Sequence, residues 1–267
     1  MIKNTSRKII LLAFTSLLAQ ATLAYQTTNN DASWKAMSAS SPHESFFARF
    51  NPKRAHFTLQ VGGFDTTQGN TQNIGIDGLI GDHFTVSHSH DQNGLVGVGY
   101  YVDGINQERV NYLFGLNAFY LGHTQVKGNI IQEQMFTNLS YRYSLTNYPV
   151  YLAAKALIKN NSDKYNVTLD FGIGPNFVRT SEYREYSLDG GITIPDNAFS
   201  GRTRAVLSAT VGIGVKFNNV YKHIPLELGY RFFYLGQGDF NKKTNQLLTT
   251  LNTGSNYAHA LVLSVSI

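Results

Sequence analysis

The chain has 267 residues and not one cysteine. With no disulfide to draw on, even in an oxidising compartment, its stability has to come from burial and hydrogen bonding. Beyond residue 24 no run resembles a transmembrane helix, which needs about 20 apolar residues. The G-x-S-x-G nucleophile elbow and the H-E-x-x-H zinc motif are also missing, so neither serine-hydrolase nor zincin chemistry is indicated. Paired glycines at Gly97/Gly99, Gly172/Gly174 and Gly212/Gly214 lack the third glycine and the following helix of a nucleotide fingerprint. No cofactor and no catalytic residue is expected from these patterns. Positive charge is scarce once its position is considered. Of the formal net charge of +5, three charges are Lys3, Arg7 and Lys8, which leaves +2 for the rest of the chain and indicates no nucleic-acid partner.

Those three cations precede an uncharged stretch, Ile9 to Ala24, rich in Leu, Ile and Ala. A positive start followed by a short apolar run is the pattern of a cleaved signal peptide, residues 1–24, rather than of a retained anchor. Two small-residue cleavage sites compete, Ala19-Gln20-Ala21 and Thr22-Leu23-Ala24. Residues 25–52 are rich in Ser, Thr, Asn and Ala, contain the single tryptophan, Trp34, and show no sustained period, as a loosely ordered segment would.

From residue 53 onward the chain alternates. Tyr165, Val167, Leu169, Phe171 and Ile173 fall on one face of an extended chain, and Asn166, Thr168, Asp170, Gly172 and Gly174 fall on the other. Val206 to Phe217 and Pro225 to Leu235 repeat the pattern. Behind an export signal, this predicts an all-β, transmembrane, antiparallel up-and-down barrel over 53–267, with lipid outside and a polar lumen. Strands are expected near 55–63, 94–102, 108–121, 132–145, 150–158, 165–178, 203–217, 224–237 and 256–267. Nine is odd, and barrels of this class have an even number. Promoting Ile74–His88 to a weak strand makes about ten, the favoured count; eight is the alternative, if a shorter candidate such as 150–158 is a bent or extramembrane extension and 64–93 is a long first loop.

Short links at Lys159–Asp163 and Asn218–His223 suit periplasmic turns, and the long polar stretches Arg179–Arg202 and Gly238–Ser255 suit extracellular loops. The first of these loops offers Tyr183, Arg184, Tyr186 and Phe199 as a candidate recognition surface. Tyr141, Tyr143, Tyr148 and Tyr151, with Tyr230, Phe232 and Tyr234, are expected at the membrane interfaces. A charge ladder of Arg142, Lys155, Asp170, Lys216, Glu227 and Arg231 is expected to point inward, because Lys or Arg on a lipid face costs about 2–4 kcal/mol at the midplane. Hairpin pairing sets Lys155 against Asp170 and Lys216 against Glu227. The ladder either plugs a small barrel or lines a narrow path; the plug fits an interior that side chains just fill. His88, His90 and Asp91 are a weak candidate metal set, since two histidines two residues apart share a face.

The G-x-G step in Asp170-Phe171-Gly172-Ile173-Gly174-Pro175 and the alternating end Tyr257-Ala258-His259-Ala260-Leu261-Val262-Leu263-Ser264-Val265-Ser266-Ile267 resemble those of small Gram-negative outer-membrane β-barrel proteins. The groups it is similar to are the opacity-type proteins and the membrane domain of outer membrane protein A. The resemblance implies residence in the outer membrane, outer-membrane lipids as neighbours, insertion by the barrel assembly machinery, and a host or envelope ligand at the long loops. It departs from those families in ending on Ile267 rather than an aromatic, and no counterpart of a peptidoglycan-binding domain is expected. A surface-interaction barrel is the expected role. A narrow solute channel, a barrel-embedded lipid-modifying enzyme and a periplasmic ligand-binding barrel are the alternatives.

Overall fold

In a computed structural model, residues 55–160, 164–221 and 224–267 are described; the expected leader and the 25–52 segment lie outside them. The period of two becomes twelve strands: β1 (Ala55–Thr67), β2 (Gln72–Ile74), β3 (Asp82–His88), β4 (His90–Asn106), β5 (Val110–Gln132), β6 (Phe136–Lys159), β7 (Tyr165–Ser187), β8 (Phe199–Ser200), β9 (Thr203–Tyr221), β10 (Ile224–Gly236), β11 (Asn241–Lys242) and β12 (Asn256–Ser266). β1 lies between β4 and β12, and the order continues through β10, β9, β7 and β6 to β5, which pairs back to β4. Eight antiparallel strands thus close a ring, leaving no free edge among them. This is the architecture of a transmembrane β-barrel.

The sheet contains ten strands, but two of them stand outside the ring. β3 does form in the stretch promoted to a strand, and it pairs with the upper part of β5 from Lys127 to Ile131, with β2 on its far side. Segments 132–145 and 150–158, expected as two strands, are one strand, β6. Pro149 has no N–H to donate, yet it does not end pairing: it sits opposite Asn176, whose Oδ1 accepts the Tyr148 N–H at 3.0 Å. β7 likewise runs on to Ser187 where a loop from Arg179 was expected.

A path perpendicular to the strands from Leu121 passes Leu95, Gly62, Val262, Gly229, Gly214, Thr168 and Leu157 and returns to β5 at Asn111, ten residues below its start. Such a stagger requires strongly tilted strands, and eight of them enclose a space that side chains can fill. They do fill it. Phe64, Leu95, Phe119, Tyr151 and Phe233 are buried across the middle, with Phe119 and Phe233 edge-to-face at 5.3 Å. Glycine makes room for these rings: a Cβ on Gly97 would stand 2.5 Å from the Phe119 ring, so an alanine there would displace it.

The outer wall is apolar. On β7, Tyr165, Phe171, Ile173 and Phe177 are exposed while Thr168, Asp170, Asn176 and Val178 are buried inside. Leu59, Val98, Leu152, Ile213, Leu228 and Leu261 extend the belt round the ring. Tyr120 with Tyr148 and Tyr234 with Tyr257 contact at its upper margin, at 5.4 and 5.6 Å between rings. Tyr230, Phe232 and Tyr234 lie on the outward phase as expected. Tyr141, Tyr143 and Tyr151 do not: they are buried inside, and only Tyr148 of that group faces out. One continuous strand has one phase, so residues on the same parity as the inward Lys155 must point inward with it. Phe57 and Ile267 exchange backbone hydrogen bonds at the end of the ring that carries the short links.

Replacing an inner ring should cost far more than replacing an outer one. Phe233→Ala is expected to destabilise the barrel by about 3–5 kcal/mol. Leu152→Ala, on the outer wall, should cost well below that in the same urea unfolding series in lipid vesicles. Equal losses would show that the interior is not a packed core.

Candidate functional site

Two places concentrate chemistry: a charged layer low in the lumen, and a crown above the apolar belt.

In the lumen, Lys155 Nζ donates to both oxygens of Glu227, at 2.7 and 3.0 Å, and lies 3.5 Å from Asp170 Oδ1. An Arg231 guanidinium nitrogen is 3.2 Å from the same Asp170 oxygen. Thr168 donates to Glu227 at 2.9 Å. All four charged groups are buried, two of each sign, so the layer is neutral as a unit. Their cations also rest on rings, Lys155 over Tyr101 at 5.6 Å and Arg231 over Phe119 at 5.1 Å, which offsets part of the lost hydration. Just above, Gln60 donates to Asn117 at 2.7 Å and Asn117 to the Tyr101 hydroxyl at 3.0 Å. The space left beside Asp170, Glu227 and Arg231 is about 10 Å³, room for about one water.

Four of the six ladder residues therefore meet. The hairpin registers are as expected, Lys155 opposite Asp170 and Lys216 opposite Glu227. The strongest contact, however, runs across the lumen from Lys155 to Glu227, which spacing along neighbouring strands cannot show. Lys216 is half-buried and makes no salt bridge among the described residues. Arg142 is a correction: it is exposed on the outer face above the belt, 5.2 Å from the centre of the Tyr186 ring. Residues 142 and 155 are an odd number apart, so on a single strand they cannot both face inward.

The crown arises because β5, β6 and β7 continue past the belt. With β3 and the segments around β8 and β11 they enclose a second apolar core of Phe84, Tyr141, Tyr143, Tyr183, Phe199 and Phe240. The recognition surface expected at Tyr183, Arg184, Tyr186 and Phe199 is split by alternation. Tyr183 and Phe199 are buried, edge-to-face at 5.3 Å, and only Arg184 and Tyr186 face solvent. Burial and the neighbouring Glu185 push the Tyr183 hydroxyl well above its ordinary value. Glu185 is the clasp of the 188–198 loop: it accepts from the Tyr183 hydroxyl at 2.5 Å, from Asn197 N–H at 2.9 Å and from Ala198 N–H at 3.2 Å.

Between these strands and loops opens a cavity of about 600 Å³. Its floor includes Ile74, Phe84, Ile130, Leu139, Phe199 and Leu247, and its polar lining includes Asp82, Glu133, Glu185 and Asp196 against one cation, Lys243. Asp82 accepts the Glu133 N–H at 3.1 Å, and Glu133 accepts the Ile80 N–H at 3.0 Å, which ties the β3 entry to the β5–β6 turn. Burial raises the Asp82 carboxyl above the usual range; the Glu133 N–H opposes this, and the carboxylates of Glu133, Glu185 and Asp196 add to it. Sequence reasoning missed this set because its four acids come from separate segments with no common spacing.

His88 and His90 are exposed at the β3–β4 step. His90 Nδ1 faces Thr67 Oγ1 at 3.3 Å, and both Asp91 oxygens accept backbone N–H groups, from Gln92 at 2.9 Å and Gln125 at 2.7 Å. Among the described residues no group of three or more His, Cys, Asp or Glu side chains could hold a metal ion.

No family model and no curated protein matches the chain. Solved structures do. The outer membrane protease OmpT from Escherichia coli is 9% identical, with a TM-score of 0.43 over 87% of this chain and 98% of that one. The outer membrane protein OprG from Pseudomonas aeruginosa is 10% identical, TM-score 0.43, over 80% and 96%. Neisserial surface protein A is 12% identical, TM-score 0.37, over 79% and 96%.

Two outcomes follow from this geometry. Lys155→Met should destabilise the barrel by about 3–5 kcal/mol, because it leaves two buried carboxylates facing one cation. The double variant Lys155→Met/Glu227→Leu should recover much of that loss in the same unfolding assay, and no recovery would dissolve the pairing. For Asp82, a raised folded-state pKa means stability that is full below the unfolded value, about 3.9, and is lost as pH rises through the folded value. Asp82→Asn keeps an acceptor for Glu133 N–H, so it should make crown resistance to protease flatter with pH and higher at pH 7 than in the wild type. A wild-type pH profile retained in the variant would remove Asp82 as the cause.

Proposed function

We propose that this chain is an outer-membrane protein of a Gram-negative envelope, and that its closed barrel anchors a ligand-binding crown on the cell surface. The observation that carries this reading is the contrast along one axis. Within the apolar belt the lumen is filled by rings and a neutral charge layer, whereas above the belt the same strands open into a cavity of about 600 Å³. An apolar outer belt about 25 Å tall with aromatic margins is what a bilayer requires of such a barrel. A periplasmic barrel with an internal ligand would reverse the arrangement, apolar inside and polar outside. A solute channel would need a continuous wet path through the layer of buried rings and paired charges. Outer-membrane lipids cover the belt, the barrel assembly machinery receives β12 during insertion, and a ligand from outside meets the crown.

The absence of cysteine makes orientation directly measurable. A single cysteine at Ile192→Cys, in the 188–198 loop at 84% exposure, should react with a membrane-impermeant maleimide on intact cells. One at Glu108→Cys, in the short link between β4 and β5, should react only after the cells are broken. The opposite pattern, or recovery of both variants as soluble periplasmic protein, would overturn the reading.

A further inference from the structure

We propose that the crown cavity binds a small amphipathic cation, a protonated amine joined to an apolar body. The inference rests on the crown being a ligand site and names the class of ligand it takes.

Size comes first. A cavity of about 600 Å³ falls within the range that takes a drug-sized molecule and is small for a folded partner. Its floor is apolar and already buried by the protein itself, with Phe84 and Phe199 6.1 Å apart and edge-on, so a ring entering the cavity meets ring edges and aliphatic side chains. Leu79 and Phe136, exposed at its rim, extend this apolar surface outward.

Charge then selects the sign. Four carboxylates and one ammonium border the cavity, so an uncharged ligand leaves a local excess of negative charge and an anionic one adds to it. These acids are not equivalent. Glu185 has both oxygens taken by the 188–198 loop and holds the wall in place. Asp82 and Glu133 each use one oxygen for a backbone N–H of the neighbouring strand entry. Asp196 is exposed at the rim and makes no hydrogen bond among the described residues. An ammonium at the mouth would lie beside Asp82, Glu133 and Asp196 while its apolar body covered the exposed Leu79 and Phe136 at the rim, a charge-assisted contact next to apolar burial. Burial is the main cause of the raised Asp82 carboxyl, and the smaller repulsion from Glu133, Glu185 and Asp196 is the part such a cation relieves.

The test uses three isosteric probes on the refolded full barrel in zwitterionic detergent, followed by isothermal titration: 1-naphthylmethylamine, 1-naphthylmethanol and 1-naphthoic acid. The amine should bind at least tenfold tighter than the alcohol, and the acid should bind weakest. Asp82→Asn/Asp196→Asn, checked for folding by heat-modifiable gel mobility, should bring the amine down to the affinity of the alcohol and leave the alcohol unchanged. Equal binding of amine and alcohol to the wild type would overturn the cation selectivity and leave a crown pocket standing. Tightest binding by the acid would overturn the sign. No binding of any probe would overturn the pocket itself, and with it the ligand-binding reading of the crown.

Discussion

Closure of the hydrogen-bonded ring is the constraint on which the rest of this structure depends. A strand in a nonpolar phase cannot leave N–H and C=O groups unpaired, since each would cost several kcal/mol, and only a sheet joined to itself meets that condition for every strand. Eight strands with a ten-residue stagger then set the bore and the tilt together. The bore leaves no alternative to filling. Once Phe119, Tyr151 and Phe233 occupy the middle, a position such as Gly97, directly beside Phe119 on the neighbouring strand, has no room for a side chain. Backbone pairing thus dictates side-chain size on the inside and side-chain polarity on the outside.

The same closure explains which features could be read from the chain before any fold was known. Alternation is local, so the outward series Tyr165 to Ile173 and the inward Asp170 and Lys155 were legible from spacing alone, as was the register that sets Lys155 against Asp170. Continuity is not local. Thr146 to Pro149 looks like a turn by composition, and only the Asn176 side chain on the neighbouring strand shows why β6 passes through it unbroken. Treating one strand as two allowed two phases, and that error alone sent Arg142 inward and Tyr141 and Tyr143 outward. A period-two strand carries its phase along its whole length, so a single secure inward residue constrains positions a dozen residues away.

The crown was the least legible part for a related reason. Its core joins Phe84 of β3, Tyr141 and Tyr143 of β6, Tyr183 of β7, Phe199 of β8 and Phe240 beside β11. No spacing rule connects six rings from five parts of the chain. The stretches that hold Tyr183, Phe199 and Phe240 read as long polar loops from their composition. Their inward residues build a core of their own, and alternation over only two or three residues, as in β8 and β11, gives no periodic signal.

Charge is handled in opposite ways at the two levels, and the difference separates structure from function. In the lumen Lys155, Arg231, Asp170 and Glu227 are buried, matched in number and joined by ion pairs, so any ligand entering would have to break those pairs. Such a layer serves to hold the wall strands β6, β7 and β10 in one arrangement; it has little to offer a solute. At the crown the acids outnumber the cation, burial and the neighbouring carboxylates raise the Asp82 carboxyl, and the cavity stands open. Like charges gathered round a nonpolar hollow repel one another, which is unfavourable for the folded protein. Under the proposed reading, the arrangement favours a molecule that neutralises the rim and covers the exposed Leu79 and Phe136 together. Under the proposed reading the filled lumen lies beneath the crown, so a ligand reaches the cavity from the outer face.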